Sequence, residues 1–307
     1  MSETEWPDVS VVVATRDRKE LLRKTLASIE HQDYPGVVET IVVHDQSEPD
    51  PELVVADPRR PVRITRNDRT PGLAGARNTG ILRSGSPIIA FCDDDDTWIP
   101  AKLTMQVRKM QADRADVGVS GCTILYADHE IERIPRRTDL TVTELSRRRV
   151  TEAHPSTVIA RRDAVLGSIG LVDEDIPGSY GEDYDWLLRA VENGPISVLE
   201  EATVRVLWSQ THSYYMGKWA VTIEAIDYLL AKHPALTRSR QGLAWNYGRK
   251  AFGYAAMGQR REAVRWAART VRLNPLEQRA FLALAVAAGV VSAQRIQRFA
   301  HTRGKGI

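Results

Sequence analysis

PIIAFCDDDDTWIP (residues 87–100) runs from an uninterrupted apolar segment straight into four aspartates. The apolar part shows no alternation, which reads as a strand buried on both faces. Adjacent carboxylates repel one another, and taking them out of water is costly. A divalent cation removes that conflict. Oxygen-rich sites suit Mg²⁺ or Mn²⁺, usually with few protein ligands and with phosphate oxygens and waters completing the shell. If the strand continues, Asp93 and Asp95 point the same way. Asp95 is then the first candidate metal ligand, Asp93 or Asp94 accepts a substrate hydroxyl, and Asp96 reads as a cap for the next turn. A helix is expected from near Pro100, a favourable early position. Trp98 either packs beneath the site or stacks on an acceptor.

Working outward, VSVVVAT (9–15), VETIVVHD (38–45) and VRITRN (62–67) read as strands, while RKELLRKTLASIEHQ, GLAGARNTGILRSG and KLTMQVRKMQA read as helices. The order is that of an α/β fold with a mixed, mostly parallel sheet flanked by helices. Ligands of such sheets collect beyond the carboxyl ends of the strands. Thr15–Arg18, Asp45–Ser47 and Asp93–Asp96 all fall just past such an end, so the three tips are expected to face one crevice. GLAGARNTG (72–80) matches neither the dinucleotide nor the P-loop glycine pattern. Arg77, early in its helix, is placed to clamp a diphosphate, with Arg66 or Arg69 as competitors for that role. Gly72 and Gly75 leave room for close backbone approach.

A second acidic group stands in YGEDYDWLLRA (180–190), where a loop enters a helix. Capping accounts for one or two acids at a helix start. The functional reading takes Asp183 as a base that removes a proton from an attacking hydroxyl, with Glu182 binding the acceptor or orienting the base. Asp185 does not share the face of Asp183. His212 is read as closing the metal site or contacting a phosphate, or else as stacking with Tyr214, Tyr215 and Trp219, and residues 209–216 as a lid. His154 is expected to line the acceptor cleft.

VSVVVATRDR, IVVHDQS, GLAGARNTG, FCDDDDTWIPAKL and GEDYDWLLR, in that order, resemble the motifs of the family 2 inverting glycosyltransferases with a GT-A fold. The resemblance covers roughly residues 8–215. It implies a nucleotide-diphosphate sugar as donor, with UDP favoured, and an acceptor hydroxyl as nucleophile. It implies that Thr15, Asp17 and Asp45 contact the nucleoside, that Arg77 lies near the nucleotide, and that the metal motif falls on Asp93–Asp95 with Asp95 as the usual contact. It also implies that Asp183 is the base and that His212 approaches the metal or diphosphate. The chain departs from many relatives at Ala14–Asp17 and at His44 and Gln46, and it lacks the QxxRW motif of processive synthases, so a single transfer per encounter is expected. Rival readings are a DxDxT phosphatase built on Asp93 and Asp95, a sugar-1-phosphate nucleotidyltransferase, and a non-catalytic sugar-nucleotide-binding protein. The first wants its motif on the first strand, and the second wants glycines after that strand.

Charge divides the 307 residues unevenly. From residue 236 onward there are 14 Lys and Arg against two acids, beside a body carrying a formal charge of −10. Two modules are expected: residues 1–235, with a nucleotide half at about 8–100 and an acceptor half at about 101–220, and a basic helical extension over 236–307 holding one tetratricopeptide-like hairpin at 243–275. Arg261, Arg265, Arg269 and Arg272 present either a solvated face or a contact for anionic lipid or a polyanion, and the apolar face packs on the first module or on a second copy of the chain. Two cysteines, no apolar run of about 18 residues and no signal-like start point to a cytoplasmic chain, at most peripheral to the inner membrane face.

Overall fold

A computed structural model of the chain describes residues 6–208 and 217–301. The first half alternates strand and helix: β1 (Val9–Thr15), α1 (Lys19–Glu30), β2 (Val38–His44), β3 (Val62–Arg66), α2 (Leu73–Arg83), β4 (Ile88–Asp93), β5 (Thr97–Trp98) and α3 (Lys102–Asp113). There follow β6 (Val117–Tyr126), β7 (His129–Arg133), α4 (Val142–Arg147), β8 (Ile159–Arg161), α5 (Arg162–Leu166), α6 (Glu182–Asn193) and β9 (Ser197–Leu207). Helices complete the chain: α7 (Trp219–Lys232), α8 (Pro234–Arg238), α9 (Arg240–Ala256), α10 (Arg260–Leu273), α11 (Gln278–Ala287) and α12 (Ala293–His301). One sheet runs β3-β2-β1-β4-β8-β6-β9-β5, with β7 paired to β6. β3, β2, β1 and β4 are mutually parallel, β8 runs antiparallel to β4 and β6, and β6 is parallel to β9.

The apolar runs follow from burial on both faces. In β1, Val9, Val11 and Val13 join the core beneath α1 and α3, while Val12 faces the opposite core with Ala74 and Ile81 of α2. In β4, Ile88, Ala90 and Cys92 take the first side and Ile89 and Phe91 the second. Helix α2 sits close on β1 because Gly80 has no side chain. A Cβ there would lie 2.3 Å from Val12 Cγ1. That close packing sets the height of Arg77, one turn earlier.

An alanine-rich core holds α9–α12 together, with Ala251, Ala255, Ala263, Ala267, Ala280 and Ala283 buried around Phe252. α9 and α10 form a helical hairpin that turns at Gly258, φ 74°. α9 also meets the sheet-bearing part. A Cβ on Gly242 would lie 1.8 Å from the Ser146 carbonyl oxygen, and Lys250 Nζ bonds Asp227 of α7 at 2.6 and 2.8 Å. No helix among the described residues is long and apolar enough to cross a membrane.

Asp185, on the first turn of α6, is fully enclosed. Its Oδ1 accepts from His233 Nε2 at 2.7 Å and pairs with Lys232 at 2.7 Å, and its Oδ2 pairs with Arg189 at 2.8 Å. Burial pushes its pKa up, but His233, Lys232 and Arg189 outweigh burial and hold it down at about 2 against an ordinary 3.8. A depressed carboxylate contributes stability that is present above its ordinary pKa and is lost as pH falls through the folded value. Between pH 4 and 2 the protein is therefore expected to lose about 2 kcal/mol through this group. The acid limb of a pH-dependent denaturant titration checks this, and Asp185→Asn should flatten that limb.

Candidate functional site

The four aspartates are held apart by four different sets of partners. Asp93, the last residue of β4, accepts from Arg77 Nη2 at 2.7 Å. Asp94 accepts from Thr15 Oγ1 at 2.7 Å and from Arg18 Nη1 at 3.1 Å, tying the tip of β1 to that of β4. Asp95 accepts from the same Arg18 nitrogen at 2.7 Å. Asp96 accepts from Ser156 Oγ at 2.5 Å and from the Leu207 amide at 3.3 Å. The sequence expectation for Asp96 is corrected here: it is 1% exposed and joins the chain before β8 to the end of β9, rather than capping the next turn. The alternation expected for Asp93 and Asp95 also ends, because the chain turns after Asp93, with the Asp96 amide bonding the Asp93 carbonyl at 3.2 Å. Asp93 and Asp96 thereby come round to the same histidine, His154, at 3.9 and 3.4 Å.

Ligand-type oxygens and nitrogens of Asp93, Asp96 and His154 lie within 4.8 Å of one another. Burial, then Asp93 and Asp94, push Asp95 up to about 6, and burial raises Asp94 and Asp96 as well. Burial holds His154 below its ordinary value, so its ring stays a neutral donor–acceptor. The carboxylates are strained by one another in a way that a hard divalent cation relieves, so the residues fit Mg²⁺ or Mn²⁺.

Arg77 is the hinge of the site. Only 4% exposed, it donates from Nη2 to Asp93 and from Nη1 to Glu182 Oε1, both at 2.7 Å. The neighbouring Asn78 donates to the Val172 carbonyl at 2.7 Å and accepts from its amide at 2.9 Å. α2 thus stitches the strand tips to the segment that leads into α6. The expected diphosphate clamp is in this structure an ion-pair bridge between two carboxylates. Gly75 likewise makes room for its own loop: a Cβ would lie 1.9 Å from the Thr70 carbonyl oxygen. Asp183, next to Glu182, pairs through Oδ2 with Arg149 and through Oδ1 accepts from the Tyr184 amide at 2.8 Å. Arg77, Glu182, Asp183 and Trp186 line one pocket together with Phe91 and Pro155. Burial pushes Glu182 up to about 7, with Asp183 adding to the shift. Burial acts on Asp183 in the same sense, but Arg149 and then Arg77 outweigh it and hold Asp183 below the ordinary carboxylate value.

Beside this centre, β2 and β3 end at a cleft of about 300 Å³ lined by Asp45, Gln46, Ser47, Glu48, Arg66 and Asn67, among others. Asp45 organises it. Its Oδ1 accepts from Asn67 Nδ2 at 2.8 Å and from the Gly72 amide at 3.0 Å, and its amide donates to the Thr15 carbonyl at 2.9 Å. Ser47 Oγ is buried there without a hydrogen-bond partner, an orphan that a polar ligand would satisfy. Asp17 is exposed in the turn after β1, at φ 53°. His44 is buried and its Nε2 accepts from the Asp50 amide at 3.4 Å.

The structure therefore brings Thr15, Arg77, Asp93, Asp94, Asp95, His154, Glu182 and Asp183 into one network, with Asp45 joined to it through Thr15. Trp98 is not in it. At 4% exposure it packs in the core with Leu103, with Lys102 Nζ 4.0 Å from its ring centre, and has no open face for an acceptor. His212 and the expected lid lie outside the described residues. Arg149 and Ser156 were not singled out by the sequence reading. Arg149 is one of three consecutive arginines, and nothing in the sequence separates it from the other two.

The family model "Glycosyl transferase family 2" matches residues 10–163, half of the chain. Over 126 residues the chain is 29% identical to an Escherichia coli protein described as UDP-Glc:alpha-D-GlcNAc-diphosphoundecaprenol beta-1,3-glucosyltransferase WfgD, a match covering 40% of this chain and 46% of that protein. The chain spans less than half the length of the first curated relatives it matches. Among solved structures, S. aureus TarS 1-349 in complex with UDP-GlcNAc aligns over 97% of this chain and 92% of its own, with TM-score 0.62 and 16% identity. The mannosyltransferase PcManGT from Pyrobaculum calidifontis, in complex with GDP-Man and Mn2+, aligns over 95% and 83%, with TM-score 0.58 and 16% identity. These likenesses establish the GT-A fold. With five motifs in register, the acidic strand tips gathered at one crevice and the family model matched across half its length, the chain belongs to glycosyl transferase family 2.

Proposed function

We propose that the protein transfers a glycosyl unit from a nucleotide-diphosphate sugar to an acceptor hydroxyl by direct, inverting displacement, with Asp183 as the base. One observation carries this reading: Arg77 bonds both Asp93 of the acidic strand tip and Glu182, the neighbour of Asp183, so the donor-side and acceptor-side carboxylates border one site. The nucleoside would occupy the cleft beside Asp45, with Thr15 and Asp17 at its edge. UDP is favoured, in keeping with the UDP-sugar named in the description of the Escherichia coli relative. Asp93 and Asp95, each about a quarter exposed, would hold a divalent cation, His154 standing behind Asp93, and Asp94 would accept a sugar hydroxyl. When bound, that cation supplies neutralisation of the diphosphate charge.

The two neighbouring acids are suited to different tasks. Glu182, pushed up to about 7, holds its proton more readily and is suited to hydrogen-bonding an acceptor, whereas Asp183 stays ionised. Asp183 takes the hydroxyl proton, the acceptor oxygen attacks the anomeric carbon, and the bond to the diphosphate oxygen breaks with its electron pair leaving on the nucleotide. Thermal-shift titration with UDP-sugars, with and without Mn²⁺, tests the donor half. Stabilisation should require the cation, and Asp95→Ala should weaken binding tenfold or more. Cation-independent binding unchanged in Asp95→Ala would remove the metal role from Asp95.

The extension over residues 236–307 is proposed as a basic helical module, packed on the sheet-bearing part through α9, that rests on an anionic membrane face. Arg261, Arg265, Arg269 and Arg272 are exposed at helical spacing along α10, and Leu276, Phe281, Val290 and Phe299 are exposed on the segments that follow. Each arginine near such a surface contributes about 1 kcal/mol. The named Escherichia coli relative uses a diphosphoundecaprenol-linked acceptor, which accords with a membrane-borne acceptor here. Co-sedimentation with phosphatidylglycerol vesicles should occur at low salt and fall when these four arginines are replaced by glutamine. Equal binding to phosphatidylcholine vesicles would contradict it.

A further inference from the structure

Beside the catalytic pocket lies a buried cation with no counterion. Arg249 of α9 is 8% exposed, and its Nη2 donates to the Tyr180 hydroxyl at 2.6 Å. Its guanidinium carbon lies 4.5 Å from the Trp245 ring centre and 5.4 Å from that of Tyr180. Among the described residues no carboxylate pairs with it. Burial, aided by two neighbouring cations, Arg149 and Arg279, and opposed by Tyr180, holds its pKa below the ordinary arginine value. Arg149 spends its charge on Asp183, and Arg279 spends its own on Glu277 at 2.7 Å. Arg249 is therefore the surplus.

An unpaired buried charge is costly to keep, and aromatic faces repay only part of that cost. The position adds meaning. Arg149 pairs with Asp183 of the pocket and also lies near Tyr180 and Arg249, and, with 30% of its side chain exposed, it opens the cluster to solvent. Arginine matches phosphate oxygens in a forked geometry, and two guanidinium groups beside a tyrosine hydroxyl offer several donors to one anion.

We infer that Arg249, Arg149 and Tyr180, framed by Trp245, form a subsite for a phosphate or diphosphate ester, through which an anionic acceptor is held with its hydroxyl at Asp183. This deepens the glycosyl-transfer reading and rests on it for the word acceptor; the anion binding itself does not. Because Trp245 and Arg249 belong to α9, the basic extension contributes part of the acceptor site rather than only packing behind it.

The test titrates the full chain, with UDP and Mn²⁺ saturating so that the donor site is filled, with geranyl diphosphate, inorganic pyrophosphate and geraniol as the neutral match. Geranyl diphosphate should bind and geraniol should not. Arg249→Met should weaken geranyl diphosphate at least tenfold, and Arg249→Lys should recover part of the loss. Tighter binding of geranyl diphosphate than of pyrophosphate assigns the subsite to lipid-linked esters, and equal binding assigns it to the free anion. No anion binding by the wild type, or equal affinity in wild type and Arg249→Met, overturns the inference. UDP affinity measured in the same samples reports folding. If Arg249→Met no longer binds UDP, Arg249→Lys decides: a threefold or greater weakening supports the subsite and an unchanged affinity refutes it. A lack of sugar transfer from UDP-sugars would count against the transferase reading alone and leave the anion result standing.

Discussion

Asp183→Asn is expected to lower sugar transfer by about 10²–10⁴-fold while leaving the affinity for UDP and its cation within a few-fold of wild type. The amide keeps the size of the side chain and can still accept from the Tyr184 amide, so the start of α6 should persist. What it loses is the negative charge that Arg149 and Arg77 hold in the ionised form. An acceptor hydroxyl would then have no ionised oxygen at Asp183 to receive its proton. Initial-rate assays with an identified acceptor, paired with UDP titration, check both halves. Turnover within a few-fold of wild type would remove Asp183 from the role of base and direct attention to Glu182.

Arg77→Met should act on stability as strongly as on activity. Removing one partner of a buried ion pair costs about 3–5 kcal/mol, because the remaining charge is left buried and uncompensated. Here Glu182 would be left so whenever it is ionised, while Asp93, a quarter exposed, would lose the same partner at a lower cost. For a chain of 307 residues the loss corresponds to roughly 5–8 °C in melting temperature. The penalty should also depend on pH, with a definite sign. Glu182 already sits at about 7 against an ordinary 4.5, so the folded state holds a proton that the unfolded chain releases between those values. Stability through this group is therefore full below the ordinary pKa and is lost as pH rises through the folded one. Without Arg77 the folded value rises further, and the variant should be closest to wild type at pH 5.5 and furthest from it at pH 8. Equal destabilisation at both values would show that Glu182 does not carry the charge conflict.

The strands were legible because a strand covered on both faces leaves no polar alternation, as Val9–Val13 and Ile88–Cys92 illustrate. The crowding at Asp93–Asp96 was legible as a conflict needing resolution, and so was the gathering of polar strand tips. The partners that resolve the conflict were not. Arg18 reaches Asp94 across 76 residues, Ser156 reaches Asp96 across 60, and Arg149 reaches Asp183 across 34. Contacts between side chains at such separations leave no local pattern. Asp96 does not cap the next turn as its position in the sequence suggests, because its burial and one of its partners come from the end of β9, more than a hundred residues later. Asp185 was placed off the face of Asp183 by helical spacing alone, but its binding of α6 to Lys232 and His233 could be found only in the fold. Arg77 was expected at the nucleotide from its place early in α2. The structure gives it a more central post, because α2 lies between the strand tips and the start of α6.

The claim on which the account rests is that the acidic strand tip and Asp183 border one donor-loaded cavity. Paramagnetic broadening by UDP-bound Mn²⁺ measures this directly in the ¹⁵N-labelled protein. Strong loss of amide signal is expected at both Asp93–Asp96 and Glu182–Tyr184, with Arg260–Leu273 of α10 unaffected. Broadening confined to the strand tip, with Glu182–Tyr184 untouched, would separate the two groups and contradict it.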